Sequence, residues 1–219
     1  MYARFFAPVR EAGVPSGLHD PPRPFVLRVG HLEGASLKEF HIGLNVFETN
    51  QADLVQIYLA LDDFTRTSLR AEFLDMEGAD LLRLPLTGSR VVNRARVNFL
   101  SPTELKNQER PEFGPLFSRI RDRISTLRAL YGSGPLEIDF KEMGDRAAEI
   151  RMTRCEIQNV EAERVSRTTG QRHSIGGFVG FAEYEGDLTE FLPYLEIAAY
   201  TGVGRQTVWG KGEISVETF

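Results

Sequence analysis

The 219-residue sequence contains very little cysteine, and Cys155 is its only one. A single cysteine cannot form an internal disulfide, which excludes a disulfide-stabilised secreted domain and is typical of a protein of the reducing cytoplasm. Long hydrophobic runs are also absent: none approaches the roughly 18 residues of a membrane-spanning helix, and the first residues lack the apolar core of a signal peptide. The sequence therefore predicts a cytoplasmic protein with no membrane partner.

The overall charge is mildly acidic, with a formal net charge of −5 and a pI near 5.5. A composition of 42% hydrophobic and 26% charged residues is that of a folded chain, long enough for one large domain or two small ones. The acidic balance argues against a nucleic-acid partner, because a phosphate backbone attracts basic surfaces. Residues 83–128, however, carry ten basic and four acidic side chains. Either a basic binding surface or a solvated helix face explains this segment, so the net charge does not decide the question.

The first part of the sequence, residues 1–88, predicts two strands, a helix and a third strand. Residues up to 24 are rich in proline and glycine and indicate an extended lead-in. The apolar run at 25–29 and the period-two alternation at 40–47 are typical of strands. A helix is expected next, with Thr49 or Asn50 as its cap and with apolar positions at i+3/i+4 spacing from Leu54 to Phe64, and a strand with a turn is expected within 73–88. This is the order of a ferredoxin-like unit without its opening strand and helix.

The second part, residues 89–219, shows a clearer pattern. A β-branched, alternating strand at 90–100 ends at the Ser-Pro-Thr of 101–103, and an apolar stripe over 113–130 predicts a helix that ends at the glycines of 132–134. Strands are expected at 150–165 and 175–184 around a polar connector at 166–174, then a helix from Asp187 or Thr189 and a last strand at 212–217. The sequence therefore predicts an α+β fold of two tandem ferredoxin-like units with antiparallel sheets, the first incomplete at its N-terminus.

Residues 199–214 read AYTGVGRQTVWGKGEI and form the most distinctive segment, with four glycines in a G-x-G-x₅-G-x-G pattern. A dinucleotide-binding loop follows a strand and opens a helix, whereas this segment follows a helix. A P-loop needs Ser or Thr after Gly-Lys, and here Gly212 follows Lys211. The segment is therefore neither a dinucleotide-binding loop nor a P-loop, and no cofactor is predicted. The sequence also shows no cluster of His, Asp or Glu at metal-ligand spacing, so no metal is predicted.

The segment resembles the C-terminal glycine-rich loop of the CRISPR repeat-processing endoribonucleases, a family within the repeat-associated RNA-binding proteins. Three further stretches are similar to the same family: FLSPTELK at 99–106, IGGFVG at 175–180 and the lead-in at 5–28. Members usually begin with a strand and a helix that supplies a catalytic histidine. The resemblance therefore leads us to expect either a truncated chain, whose general acid and base precede Met1, or a member that works without that segment.

The resemblance implies binding of CRISPR repeat RNA and metal-independent cleavage of precursor CRISPR RNA, in which the 2′-hydroxyl attacks and leaves a 2′,3′-cyclic phosphate. Histidine suits the proton transfers because its unperturbed pKa lies near 6.5. His173 and His41 are the candidates within the chain, ahead of His19 in the lead-in and His31 in a turn. The candidates for RNA binding are a glycine-rich loop and a basic connector, namely Gly202, Gly204, Arg205, Gly210, Lys211, Gly212, Arg167 and Arg172. Trp209 is expected either to stack on RNA or to belong to the core.

Three alternatives stay open at this point. The chain is also compatible with a non-catalytic CRISPR RNA-binding subunit that contacts other subunits of an effector complex. A ferredoxin-like ligand-binding module without RNA would suit the acidic pI. The glycine-rich segment itself is open to a third interpretation, a tight helix-to-strand connection that binds nothing.

Overall fold

The computed structural model describes residues 21–28, 40–47, 51–69, 82–88, 90–161, 163–165, 170, 172–174 and 176–219. Its strands are β1 (Phe25–Arg28), β2 (Gly43–Val46), β3 (Arg94–Thr103), β4 (Arg151–Val160), β5 (Glu163–Val165), β6 (Arg172–Ser174), β7 (Gly177–Glu185) and β8 (Ile214–Thr218). Its helices are α1 (Gln51–Phe64), α2 (Phe113–Tyr131), α3 (Phe140–Ala148) and α4 (Leu192–Thr201), with a π-helical turn at Thr65–Leu69 and a 3₁₀ turn at Thr207–Trp209. Within these ranges, no helix is both long enough and apolar enough to cross a membrane.

A four-stranded antiparallel sheet organises the second part of the chain, with the strand order β4-β7-β3-β8. Strand β7 lies between β3 and β4, which are connected through the helices α2 and α3. This is the split βαβ arrangement, and the sequence of elements β3-α2-β4-β7-α4-β8 is that of a ferredoxin-like unit. The predicted α+β fold with antiparallel sheets is therefore confirmed for this part.

The hydrophobic core lies between this sheet and the helices α2 and α4. One stripe of α2 is buried because its apolar residues recur every three or four positions, at Phe113, Leu116, Phe117, Ile120 and Ile124. Aromatic side chains of α2, β7 and α4 pack edge to face, as in Phe117 and Tyr194 with ring centroids 5.4 Å apart. The outer face of the sheet is polar: Arg96 Nη2 lies 2.5 Å from Glu183 Oε1 and the guanidinium stacks 4.5 Å from the centre of the Phe181 ring.

Several predicted boundaries in this part were wrong. Strand β3 was predicted to end at residue 100, but it continues through the Ser-Pro-Thr of 101–103. Its register against β7 shifts between Phe99 and Thr103, and Pro102 is tolerated at this irregularity. Helix α3 was missed, since its only buried residues are Met143 and Ala147. The predicted strand at 150–165 is divided into β4 and β5, and the connector contains β6. Helix α4 begins later than predicted, at Leu192, which places Pro193 in the first turn where its missing N–H costs nothing.

The first part of the chain contributes a second, smaller sheet of β1 and β2, which pair antiparallel from Phe25 opposite Val46 to Arg28 opposite Gly43. Its small core is built around Phe25 and Ile57 and also takes in Val208 from the glycine-rich segment. The strand predicted within 73–88 is not present over 82–88, and residues 70–81 lie outside the described ranges. The division of the chain at residue 88 stays a prediction.

Candidate nucleic-acid interface

The glycine-rich segment connects the end of α4 to β8 and folds back on itself. Four of its glycines have positive φ, between 68° and 86°: Gly202, Gly204, Gly210 and Gly212. This left-handed region is costly for residues with a Cβ, so the turns require glycine. Gln206 adopts the same region, with φ of 60°. We call residues 202–212 the glycine loop.

Close packing is the second reason for these glycines. A Cβ at Gly212 would lie 1.8 Å from the Val203 oxygen, and one at Gly204 would lie 2.5 Å from the Glu104 oxygen. The loop is thus pressed against itself and against the chain that follows β3. Backbone hydrogen bonds fix this contact, with Gly212 N donating to Pro102 O at 3.1 Å and Arg205 N donating to Glu104 O at 3.1 Å.

The backbone amides of the glycine loop are largely used within the protein. Gly202 N donates to Ala198 O, Gly210 N donates to Thr207 O, and Gly212 N is held by Pro102 O. While the loop keeps this shape, these three amides have no free hydrogen to offer a phosphate. At these three positions the glycines are therefore explained by tight packing of protein on protein.

Both basic residues of the glycine loop hold one carboxylate. Arg205 Nη1 lies 2.7 Å from Glu104 Oε1, and Lys211 Nζ lies 3.3 Å from Glu104 Oε2. Lys211 also donates to the Gly176 oxygen at 2.6 Å and is only 4% exposed. Arg205 has 63% of its side-chain surface exposed. The structure therefore gives the two cations different roles, one enclosed and one at the surface.

The electrostatics of this triad follow from burial and hydrogen bonding. Burial lowers the pKa of the Lys211 ammonium below its usual range, an effect that its hydrogen bond to Glu104 only partly offsets. For Glu104, burial acts to raise the pKa of the carboxyl, and the hydrogen bonds from Arg205 and Lys211 outweigh it, so the pKa is lowered. Glu104 is therefore a firmly ionised counter-ion. It was not singled out from the sequence, although it lies within the FLSPTELK stretch.

A pocket of about 410 Å³ opens next to Glu104, between the end of β3 and the start of β7. Its wall includes the amide side chains of Gln108 and Asn159 and the ring of Phe178. Amide groups both donate and accept hydrogen bonds, which suits the edge of a nucleobase. Trp209 lies on the glycine loop with 47% of its surface exposed, and the Arg23 guanidinium is 5.4 Å from its ring centre. Trp209 is thus a surface residue rather than part of the core.

Strand β5, which precedes the basic connector, pairs antiparallel with β6 at the end of the connector. Arg164 pairs with His173, and Val165 pairs with Arg172. These backbone positions place Arg172 and His173 in one strand, opposite Arg164, and Arg167 lies outside the described residues. Only β6 lies within 166–174, where a connector without strands was expected, because a three-residue strand carries too few residues for a period-two pattern.

Of the candidate histidines, His41 is exposed and lies two residues before β2 instead of within a strand. The alternation at 40–47 therefore predicted a longer strand than the one present. His19 and His31 lie outside the described ranges. Across the described ranges, no three His, Cys, Asp or Glu side chains are placed to hold a metal ion together.

Comparison with known proteins places this architecture in a family. The family model of the CRISPR-associated endoribonuclease Cas6 matches residues 97–214, which is more than half of the chain and includes the glycine loop. The chain belongs to this family, and its general role is CRISPR RNA processing. No curated protein sequence gives a significant match to it.

Solved structures of the same family have a similar fold. A product complex of Cas6 TTHB231 from Thermus thermophilus is 16% identical, with a TM-score of 0.58 over 91% of this chain and 84% of that one. A product complex of Cas6 TTHA0078 is 17% identical, with a TM-score of 0.58 over 90% and 83%. A Cas6-RT-Cas1–Cas2 complex matches at 12% identity and a TM-score of 0.51, over 81% of this chain and 22% of that one. At these identities the likeness concerns the fold, and it confirms the predicted class.

Proposed function

We propose that this chain binds CRISPR repeat RNA on the side of the ferredoxin-like unit that carries the glycine loop, and that it cuts precursor CRISPR RNA there. The observation that supports this most directly is the Cas6 family match, which runs from the middle of β3 to the start of β8 and so spans the glycine loop. Exposed Arg205 and Trp209 on the same loop suit an RNA partner, since arginine pairs with phosphate and aromatic rings stack on bases.

Arg205 is the main phosphate contact in this proposal. A guanidinium has five N–H groups, so Arg205 can keep Glu104 on Nη1 and still donate to a phosphate. Lys211 is buried and donates to Glu104 and to the Gly176 oxygen, so its role in this proposal is to stabilise the glycine loop. Gly202, Gly204, Gly210 and Gly212 give the loop its shape. Arg167 and Arg172 are further candidates for contact with RNA in this proposal.

Cleavage would follow from attack of the 2′-oxygen on the neighbouring phosphorus. A P–O2′ bond forms and the P–O5′ bond breaks, leaving a 2′,3′-cyclic phosphate and a 5′-hydroxyl. A general base takes the 2′ proton and a general acid gives a proton to the leaving O5′, and no metal is needed for either transfer. His173 and His41 are the candidates for these two roles in this chain, because histidine exchanges protons near neutral pH.

The test is cleavage of a labelled RNA with the sequence of the CRISPR repeat adjacent to the gene, in EDTA. We expect a single cut with a cyclic phosphate on the upstream product. A 2′-deoxy nucleotide immediately 5′ of the cut should abolish cleavage while binding remains, and a 2′-deoxy nucleotide two positions away is the matched control. Cleavage that persists with the deoxy nucleotide at the cut would refute the mechanism. His173→Ala and His41→Ala then separate the two roles.

A second candidate function, RNA retention without cleavage, is supported by the chemistry around the glycine loop. Arg205 and Lys211, the basic side chains of the loop, both bond to the Glu104 carboxylate, whose pKa is lowered. These three groups are suited to holding charge rather than to transferring protons near neutral pH. Tight binding of the repeat with no product would favour this function, in which the chain holds CRISPR RNA beside other proteins. A Cas6-RT-Cas1–Cas2 complex among the structural relatives is a precedent for such partners.

A further inference from the structure

Two arginines from different parts of the fold meet at the C-terminal end of α4. Arg28 of β1 donates from Nη2 to the Ala199 oxygen at 2.7 Å and to the Tyr200 oxygen at 3.0 Å. Arg123 of α2 donates from Nε to the Thr201 oxygen at 2.8 Å. Because Gly202 follows directly, the pair lies where the glycine loop begins. We call Arg28 and Arg123 the arginine pair.

Capping of the helix does not account for both cations. Carbonyl oxygens at a helix C-terminus attract positive charge, but the helix end carries only about half a negative charge. Within the described part of the chain, the carboxylate that pairs with Arg28 is that of Glu213, whose Oε1 is 3.7 Å from Arg28 Nε. Two full positive charges are thus held against roughly one and a half negative charges, and one arginine would suffice for the cap.

Each arginine also has a shielded nitrogen with nothing to bond to. Arg28 Nη1 and Arg123 Nη2 are closed off from solvent, and no described residue accepts a hydrogen bond from either. A buried donor without a partner is costly, and more so when it is charged. Burial, and after it the charge of Arg28, lowers the pKa of Arg123 to about 10. Both the unused donors and the mutual repulsion would be relieved by an anion.

We infer that the arginine pair binds one phosphate of the RNA, an inference that rests on the proposed RNA binding. A phosphate has several acceptor oxygens and meets guanidinium groups with two hydrogen bonds at a time, so a single phosphate can satisfy both shielded nitrogens. The pair lies close to the surface, since Arg123 is half-buried and the Arg28 side chain is 13% exposed. In this inference the two side chains turn outward to meet the phosphate. Gly43 leaves room for the Arg28 stem, because a Cβ there would lie 2.8 Å from Arg28 Cβ.

The experiment measures the affinity for labelled repeat RNA as a function of salt concentration. Neutralising one phosphate contributes about 0.7–0.9 to the slope of log affinity against log salt. We expect the slope of the double variant Arg28→Gln/Arg123→Gln to be smaller by about 0.7–0.9, the contribution of one phosphate, and not by twice that amount. The control Arg110→Gln/Arg119→Gln removes the same charge from two exposed positions, and we expect it to lose less. An unchanged slope, a loss twice as large, or an equal loss in the control overturns the inference.

A second measurement keeps the two proposals apart. The melting temperature of the wild-type protein should rise in inorganic phosphate relative to chloride of equal ionic strength, and the double variant should not respond. A phosphate response combined with an unchanged RNA slope means that the pair takes free phosphate and overturns the RNA assignment. If the wild type binds no RNA at all, the proposed function fails, and the phosphate response then decides only whether the pair binds an anion.

A variant that keeps both positive charges separates a loss of RNA binding from a loss of folding. Arg28→Lys/Arg123→Lys retains two cations at the helix end but cannot form the paired hydrogen bonds of a guanidinium. We expect its RNA affinity to fall about tenfold, the equivalent of one lost charged hydrogen bond, with folding retained. Wild-type affinity in this variant would mean that no phosphate sits between the two side chains.

Discussion

Arg205 and Lys211 hold the same carboxylate in the glycine loop, yet their surroundings differ. Lys211 is enclosed and bonds to the Gly176 oxygen as well, whereas most of Arg205 faces solvent. An exposed ion pair contributes little to stability, while removal of a buried cation leaves its partners without a donor. At the residue scale the two basic side chains should therefore respond differently to substitution.

Lys211→Met should lower the free energy of unfolding by about 1–3 kcal/mol, because the Gly176 oxygen loses its donor and Glu104 loses one of two cations. Arg205→Ala should change it by less than about 0.5 kcal/mol and should instead reduce the salt slope of RNA binding by about 0.7–0.9. Urea unfolding and RNA titrations measure the two quantities. The reverse outcome, a stability loss with Arg205 and none with Lys211, would contradict the assignment.

The ionisation of Glu104 predicts a pH dependence. Its pKa in the folded protein is lowered below the ordinary value of 4.5, so its contribution to stability is present above pH 4.5 and is lost as the pH falls through the folded value. Glu104→Gln should therefore be less stable than the wild type at neutral pH, with the difference shrinking below pH 4.5. Urea midpoints at several pH values test this. A difference that stays constant down to pH 3 would show that charge is not the cause.

At the scale of elements, the glycine loop is held in place by close backbone packing. Gly212 and Gly134 both have positive φ, but a Cβ at Gly134 would meet no atom within 4 Å. The two positions therefore separate the cost of the backbone conformation from the cost of a clash.

Gly134→Ala should cost about 1 kcal/mol of stability, the ordinary penalty for a left-handed residue. Gly212→Ala should cost more than about 2 kcal/mol, because its Cβ would lie 1.8 Å from the Val203 oxygen and the loop has to move. RNA binding should weaken only with Gly212→Ala. Equal stability losses in the two variants would mean that the loop relaxes without difficulty.

The elements also show which features the sequence could predict. Helix α2 has a long apolar stripe and glycines at its end, and it was found with nearly its true bounds. Helix α3 has only nine residues and two buried side chains, which is too short for a period of 3.6 to stand out. The continuation of β3 past Pro102 depends on a register shift against β7, which is a tertiary property.

The candidate site was predictable to a similar degree. The glycine spacing and the Gly-Lys-Gly context identified the loop and its basic residues. Glu104, Arg28 and Arg123 were missed as site residues, because their partners lie between 78 and 172 positions away along the chain. Such pairings leave no periodic signal, and only the folded structure brings them together.

At the scale of the whole molecule, the excess of positive charge in residues 83–128 does not form one continuous surface. Several of its arginines form hydrogen bonds or ion pairs with other groups of the protein. Arg96 binds Glu183, Arg121 donates to the Phe140 oxygen, and Arg128 donates to Ser133. The basic segment is thus explained in part by structure, and the proposed RNA binding would depend on a few placed cations rather than on net charge.

The glycine loop is one of the contacts between the first and second parts of the chain, since Val208 completes the small core around Phe25 and Ile57. Val208→Ala should weaken that core by about 1 kcal/mol, so amide exchange in β1 and β2 should become about fivefold faster while exchange in α2 is unchanged. Hydrogen exchange measures both. Val216→Ala, which alters the main core instead, is the matched control, and a uniform change across the molecule in both variants would contradict the assignment.

The hydrogen bonds of Arg28 also carry a consequence for biosynthesis. Its acceptors, the oxygens of Ala199 and Tyr200, lie 171 and 172 residues further along the chain. At ordinary rates of translation the ribosome needs roughly 10–30 s to add that many residues. During this interval Arg28 lacks its acceptors on α4, and the small core beside β1 and β2 lacks Val208. The nascent N-terminal segment should therefore be the part of the molecule most dependent on chaperones.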